Sequence, residues 1–184
     1  MNRETYYQII HKYIPPNSFT YPIYMIHCQM VTRKALEIAD RLELSGEQKT
    51  FIEAAAMLHD IGIVKINSPS LYCTGTLDYI CHGTEGRTII EQEGWPVHAL
   101  VAERHTGTGL TIDDIRTQHL PIPERDMTAQ SLEEEIISYA DLFYSKNTAR
   151  LWQAKPMENV YRNVAKYGAE KTAILEDWIA RFGE

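Results

Sequence analysis

Apolar and polar positions follow a helical period along almost the whole chain. Residues 3 to 14 predict a short polar helix that Pro15-Pro16 ends. Over residues 22 to 41 the apolar residues Ile26, Met30, Ala35, Ile38, Ala39 and Leu42 fall mostly at helical spacing, with His27 beside the buried stripe. Ser45-Gly46-Glu47-Gln48 has the pattern of a capping box and opens the next helix. That helix carries Phe51, Ala54, Ala55 and Leu58 on one face and stops near His59-Asp60, where Gly62 can end it. Residues 67 to 76 read as loop. A helix over residues 77 to 93 is expected to be interrupted or bent near Gly83 and Gly86 and to end at Gly94. Pro96 suits the first turn of a helix running to about His105, which Thr106-Gly107-Thr108-Gly109 breaks. A short helix over 111 to 118 and a loop at Pro121 and Pro123 follow. Ser131-Leu132-Glu133-Glu134 reads as a second capping box, whose helix runs through Asp141. Two last helices fall near 157 to 167 and 170 to 182. No strand is expected, although the β-branched run over 61 to 66 suits local extension. The pattern predicts an all-α, multi-helix bundle forming one domain over residues 1 to 184, with a motif-bearing core over about 22 to 150 and C-terminal helices over 151 to 184.

Composition narrows the function classes. The 184 residues are 44% hydrophobic and 23% charged, an ordinary globular balance. A net charge of −7 lacks the basic surplus that duplex nucleic acid demands. It does not exclude a nucleotide or sugar phosphate, whose charge a metal or a few Lys and Arg can meet locally. Cys28, Cys73 and Cys81 are odd in number and form no C-x-x-C pair, so neither a disulfide framework nor a structural zinc site is expected. The first 14 residues are polar and charged rather than signal-like, and no apolar run approaches the ~18 residues of a membrane span. A cytoplasmic location with no membrane partner follows as the expectation. Trp152, Tyr161, Tyr167 and Trp178 suit core packing or the face of a homodimer, core packing being the reading taken.

The densest chemistry lies in Met57-Leu58-His59-Asp60-Ile61-Gly62, where an apolar helix ends in adjacent His and Asp. Adjacent helical side chains point about 100° apart, so the pair can share ions only if the helix is ending or the ions lie between them. Imidazole then binds one metal while the carboxylate bridges to another. His27, His82, His105 and Asp141 each sit on or at the end of a predicted helix. Taken singly, His27 can be a core histidine, His105 a partner of a helix C-terminus and Asp141 a surface residue. All of them being so at once is a weaker reading.

The series His27, His59-Asp60, His82, His105 and Asp141 resembles the HD superfamily of metal-dependent phosphohydrolases, and His59-Asp60-Ile61-Gly62 looks like its HDIG signature. The resemblance covers roughly residues 22 to 150. The stretches Arg104-His105-Thr106-Gly107-Thr108-Gly109-Leu110 and Tyr139-Ala140-Asp141 are similar to the HDIG proteins of archaea and bacteria whose substrates are not well defined. What the resemblance implies is an HD-domain helical bundle and a phosphoric ester hydrolase. In mononuclear members His27, His59, Asp60 and Asp141 would hold the one ion. In binuclear members Asp60 would bridge to a second ion on His82 and His105. Iron or manganese suits such ligands best, with Zn, Ni, Co or Mg also accepted. A metal-bridged hydroxide would attack a small phosphorylated substrate, a nucleotide above all, with no Ser, Cys or Thr nucleophile. Asp60, Lys65 and Glu85 are the catalytic candidates, and Lys65, Arg104 and Lys146 the substrate-binding ones. Many members carry Lys directly after the glycine; here that position is Ile63, which leaves Lys65 between a phosphate contact and a solvated lysine. Glu85 likewise stands between the site and an exposed helix face. Residues 67 to 75 and 110 to 130 are expected to frame the pocket mouth, with Tyr72, Arg116 and Arg125 as contacts. His11, His98 and His119 fall outside the series and read as structural. The same ligands also resemble the HD-type mixed-valence di-iron oxygenases, and a non-catalytic ligand-sensing HD module is the third alternative.

Overall fold

The computed structural model describes residues 1–183; Glu184, the last residue of the expected domain, lies outside the described residues. Among the described residues there are nine α-helices: α1 Arg3–Tyr13, α2 Thr20–Arg41, α3 Gly46–Leu58, α4 His82–Gln92, α5 Pro96–Arg104, α6 Ile112–Thr117, α7 Leu132–Leu142, α8 Met157–Val164 and α9 Ala169–Phe182. The all-α class holds. No described helix is long and apolar enough to cross a membrane.

Side-chain caps set several helix starts. Both halves of the Ser45–Gln48 box form, as does a further reciprocal box between Thr111 and Asp114. At Ser131 only one half forms. Ser131 Oγ accepts from the Glu134 N–H, while the Glu134 carboxylate takes the Gln130 N–H and the Arg104 guanidinium. Such caps contribute about 1 kcal/mol each by satisfying N–H groups that a helix end leaves unpaired.

Three expectations are corrected. Residues 67 to 76 contain a small antiparallel hairpin, β1 Asn67–Ser68 with β2 Cys73–Thr74, in register Asn67 to Thr74. The β-branched run forms a 3-10 turn, Ile61–Lys65, rather than an extended segment. Its isoleucines are fully buried, and that packing overrides their β preference. Glycine is the third case. Gly62 does not end α3, which stops at Leu58, and the span expected as one helix over 77 to 93 is interrupted just before Gly83, where a 3-10 turn, Tyr79–Cys81, gives way to α4; none of Gly62, Gly83 and Gly86 adopts positive φ. They are contact glycines. A Cβ on Gly62 would overlap the His82 carbonyl oxygen and the Gly86 amide nitrogen. A Cβ on Gly83 would meet the Ala102 carbonyl oxygen at 2.9 Å. The turn after Asp60, the first turn of α4 and the end of α5 therefore touch backbone to backbone, and α4 begins only at His82.

Two large apolar clusters make the core. The first gathers Ile10, Tyr24, Leu58, Ile61, Ile63, Ile89, Ile90 and Ala102 from α1 to α5 and the 61–65 turn. The second gathers Val31, Ile38, Ile52, Ile136, Tyr139, Leu175 and Trp178 from α2, α3, α7 and α9. Each fully buried Ile or Leu contributes roughly 1.5–3 kcal/mol. Helices α2 and α3 feed both clusters, and His27 and His59 lie on them at the seam. Trp178 is core, whereas Trp152, Tyr161 and Tyr167 are exposed.

Candidate metal centre

Helix ends aim three of the four histidines. His59 and His105 stand at the C-caps of α3 and α5, where last-turn carbonyls lack helical partners. His59 Nδ1 pairs with the Ala56 carbonyl at 2.6 Å and His105 Nδ1 with that of Ala102 at 2.8 Å. His82, the first residue of α4, pairs through Nδ1 with the Tyr79 carbonyl at 2.7 Å. A carbonyl can only accept, so each Nδ1 donates a proton and each ring turns Nε2 to the centre as its ligand atom. His27 projects from within α2, and its Nδ1 is buried without a partner.

The Nε2 atoms converge on Asp60 as two pairs. His27 and His59 lie 3.0 and 3.2 Å from Asp60 Oδ2. His82 and His105 lie 3.4 and 3.6 Å from Oδ1. Asp141 Oδ1 joins the first pair, 3.0 Å from His27 and 3.5 Å from His59. Two donor groups result: His27, His59, Asp60 and Asp141, and Asp60, His82 and His105. Asp60 is fully buried, yet neither of its oxygens accepts a well-aligned hydrogen bond, and Asp141 Oδ1 is unsatisfied too. Buried carboxylates left so are costly unless cations meet them, and the one ammonium at the centre, that of Lys146, reaches only Oδ2 of Asp60. Ions bonded at about 2.0–2.2 Å bring neighbouring ligand atoms to about 3.0–3.5 Å, which is the spacing found. Donor types, spacing and unsatisfied oxygens all fit divalent metal ions.

The electrostatics of the two pairs differ. Burial pushes the His59 imidazole down, but the Asp60 charge, the neighbouring Cys28 and hydrogen bonds to Asp141 and Asp60 together outweigh it and hold His59 well above its ordinary value. Burial drives His82 down to about 3. Burial pushes Asp60 up, but Lys146 and His59 hold it well below the carboxylate range. Lys146 Nζ lies 2.5 Å from Asp60 Oδ2 and donates to the Tyr79 hydroxyl at 3.0 Å.

A cavity of about 450 Å³ opens from Asp141 and Lys146. Its walls include the Thr106–Gly109 turn, Tyr79, Tyr144, Lys155, Asn163 and Lys171. A second cleft, bounded by Ser68, Ser70 and Asn147, shares Tyr79, Ser145 and Lys146 with the first. The structure thus brings Lys146 to the centre, along with the six ligand candidates. It does not bring the other candidates. Lys65 is exposed. Glu85, in the first turn of α4, belongs to neither donor group. Arg104 is held by Glu134 at 3.0 and 3.2 Å and lines neither cavity. Arg116 pairs with Glu124, Arg125 with buried Glu103, and Tyr72 stacks on Phe19. Of residues 67 to 75, Ser68, Ser70 and Leu71 border the second cleft instead, whereas Leu110, Asp114, Gln118 and Leu120 of the 110 to 130 segment do line the main cavity. Sequence reasoning passed over Tyr79, Lys155, Asn163 and Lys171, which belong to no motif and reach the cavity only through the packing of α8, α9 and the 3-10 turn before α4.

Known proteins share this fold and part of this sequence. The solved HD domain of the L. monocytogenes phosphodiesterase PgpH, in complex with cyclic-di-AMP, is similar with a TM-score of 0.51 at 18% identity, over 95% of this chain and 83% of that one. The same domain without that ligand gives 0.53 at 17% identity, over 97% and 86%. These likenesses show the fold. A tRNA (cytidine(56)-2'-O)-methyltransferase of Picrophilus torridus is 28% identical over 138 residues, which span 74% of this chain and 35% of that protein. An uncharacterised protein of Methanocaldococcus jannaschii is 30% identical over 118 residues, 62% of each chain. The chain therefore spans about a third of the first curated relative and under two thirds of the second. The sequence model of the HD domain matches residues 24–145, from within the His27 helix to just beyond Asp141. The chain belongs to the HD domain family.

Proposed function

We propose that this chain is a metal-dependent phosphohydrolase acting on a small phosphorylated molecule, a nucleotide in the first instance. One observation carries the reading: the two oxygens of buried Asp60 each face a separate pair of imidazoles, beside a lysine at the end of a cavity. His27, His59, Asp60 and Asp141 would hold one ion, and Asp60, His82 and His105 a second, iron or manganese suiting the donors best. Bound there, such ions supply Lewis acidity at a phosphoryl oxygen and a water acidic enough to attack at neutral pH.

The chain's own residues do the positioning. The Ala56, Tyr79 and Ala102 carbonyls fix the tautomers of His59, His82 and His105, so no reorientation is needed when substrate arrives. Lys146, held by Asp60 and Tyr79, sets a positive charge where the cavity meets the centre. Phosphoryl oxygens entering there meet an ammonium already oriented. Ile80, Leu110 and Leu142 line the approach and limit water around the reacting group. The cyclic-di-AMP complex of the similarly folded phosphodiesterase domain supports a nucleotide, as does the tyrosine-bearing wall.

The test is metal analysis of protein purified without added metal, then a phosphoesterase panel with Fe, Mn, Ni and Co. We expect two ions per chain, phosphate release from nucleotides, and one ion or none in His82→Ala or His105→Ala. A single ion unchanged by those substitutions would reject the second site, and turnover that consumes oxygen would reject hydrolysis.

A further inference from the structure

Three lysines line the main cavity, and two are paired. Lys146 Nζ lies 2.5 Å from Asp60. Lys171, on α9, lies 2.5 Å from Asp114 and donates to the Gly109 carbonyl. Lys155 differs. It sits between α7 and α8, and its backbone N–H donates to the Phe143 carbonyl. Its ammonium donates to the Leu142 carbonyl at 2.9 Å and the Tyr144 carbonyl at 3.3 Å, at the end of α7. An ammonium has three donors. Two are taken by neutral carbonyls, and no carboxylate of the described residues pairs with it. Asp141 acts on it only through space. The group is half-buried and forms part of the cavity wall beside Asn163 and Tyr167. A partly desolvated cation with a free donor is favoured by an anion, and the cavity is the space that can deliver one.

We propose that Lys155 contacts a second anionic group of the substrate, a phosphoryl or carboxylate other than the group cut at the metal centre. The inference rests on reading the centre as one that handles a phosphoryl group. Lys146 already serves the centre end through Asp60, and Lys155, tied to the end of α7, makes no ion pair with Asp141. An anion on Lys155 would then be a second one, and comparing phosphate with pyrophosphate tests whether the two places are separate. Lys155, Asn163 and Tyr167 all lie beyond residue 145, where the family match ends. The family's helices build the centre, and the segment after them selects small molecules with two anionic groups over a lone phosphomonoester.

The test is calorimetry on the metal-loaded full chain with inorganic phosphate, pyrophosphate and phosphonoacetate, comparing wild type with Lys155→Gln and Lys155→Arg. Gln keeps a hydrogen bond to a carbonyl without the charge; Arg keeps the charge. One charge-assisted contact of about 1.5 kcal/mol corresponds to roughly tenfold in affinity, so Lys155→Gln should lose about that for pyrophosphate. Phosphate should change by less than about twofold, and Lys155→Arg should retain most of the pyrophosphate affinity. A matching loss for phosphonoacetate assigns a general anion subsite; a loss confined to pyrophosphate assigns a phosphoryl subsite. Equal affinities in wild type and Lys155→Gln overturn the proposal. Should Lys155→Gln not fold, the ammonium resonance of Lys155 in the wild type decides: it shifts with pyrophosphate, or the proposal fails. A panel without phosphate release would sink the hydrolase reading, yet leave these affinity differences to stand or fall alone.

Discussion

The two halves of the metal centre share Asp60 and differ in almost everything else. The first half draws His27 from mid-helix α2, His59 from the end of α3 and a second carboxylate, Asp141, from α7. The second half has His82 and His105 alone, on α4 and α5, which the contact glycines lock against the 61–65 turn. The first is richer in charge and spread over three helices. The second adds no carboxylate beyond the shared Asp60 and is held rigid by those glycines. Affinity should therefore follow ligand count and charge in the first half, and preorganisation of two imidazoles in the second.

The largest expected effect is the loss of that distinction. Asp60→Asn removes the residue common to both halves, so metal analysis should find neither ion retained and kcat should fall by on the order of a thousandfold or more. A variant that keeps two ions would break the bridging assignment. Next comes asymmetry. His59→Ala should lose the first ion and weaken the second, whereas His82→Ala should keep one ion, with activity down about 10–100-fold or further. Equal losses from both would erase the comparison. Gly62→Ala tests the rigid half alone. Its new methyl group meets backbone that cannot yield cheaply, so denaturant unfolding should show about 1–3 kcal/mol of destabilisation. Lys146→Gln should raise KM about tenfold with both ions retained, since the imidazoles and carboxylates of both donor groups stay whole without it.

The finest test is titration of the metal-free protein by NMR. His59 is raised, so the folded state keeps its proton as pH climbs past about 6.5. Its stabilising contribution is complete below that value and fades as pH rises through the folded value. His82 is lowered to about 3, so the folded state keeps it neutral as pH falls. Its contribution is complete above about 6.5 and is lost as pH drops toward the folded value. Coincident titration of the two rings would contradict the charged and neutral assignments.

The sequence made the helices legible because their period and caps are local properties. Ser45 with Gln48, and Pro96 at a first turn, act within four residues of themselves. The ligand series was legible for another reason: His and Asp are rare enough at apolar-patterned positions to be noticed one by one. Residues whose role depends on which distant helix comes near were not legible. Gly62, Gly83 and Gly86 carry local signals for a helix stop or a bend, and packing uses them for backbone contact instead. Arg104 flanks a ligand in sequence and Arg125 lies in a loop expected at the pocket mouth, but Glu134 and Glu103 claim them. Tyr79 and Lys155 reach the cavity with nothing in their neighbours to announce it.

The seam on which the centre lies gives the metals a mechanical part. Asp141 is carried by the helix at the heart of the second apolar cluster, whereas His59 and Asp60 continue from Leu58 in the first. An ion held by all three would cross-link the two clusters and close the long chain loop between Asp60 and Asp141. Cross-links of that kind act on the unfolded chain as well as the folded one, since they remove loop entropy that unfolding would otherwise regain. Chelation should then loosen the molecule selectively. Amide exchange should quicken first along α7, while the block formed by the 61–65 turn, α4 and α5, bound by its own glycine contacts, stays protected.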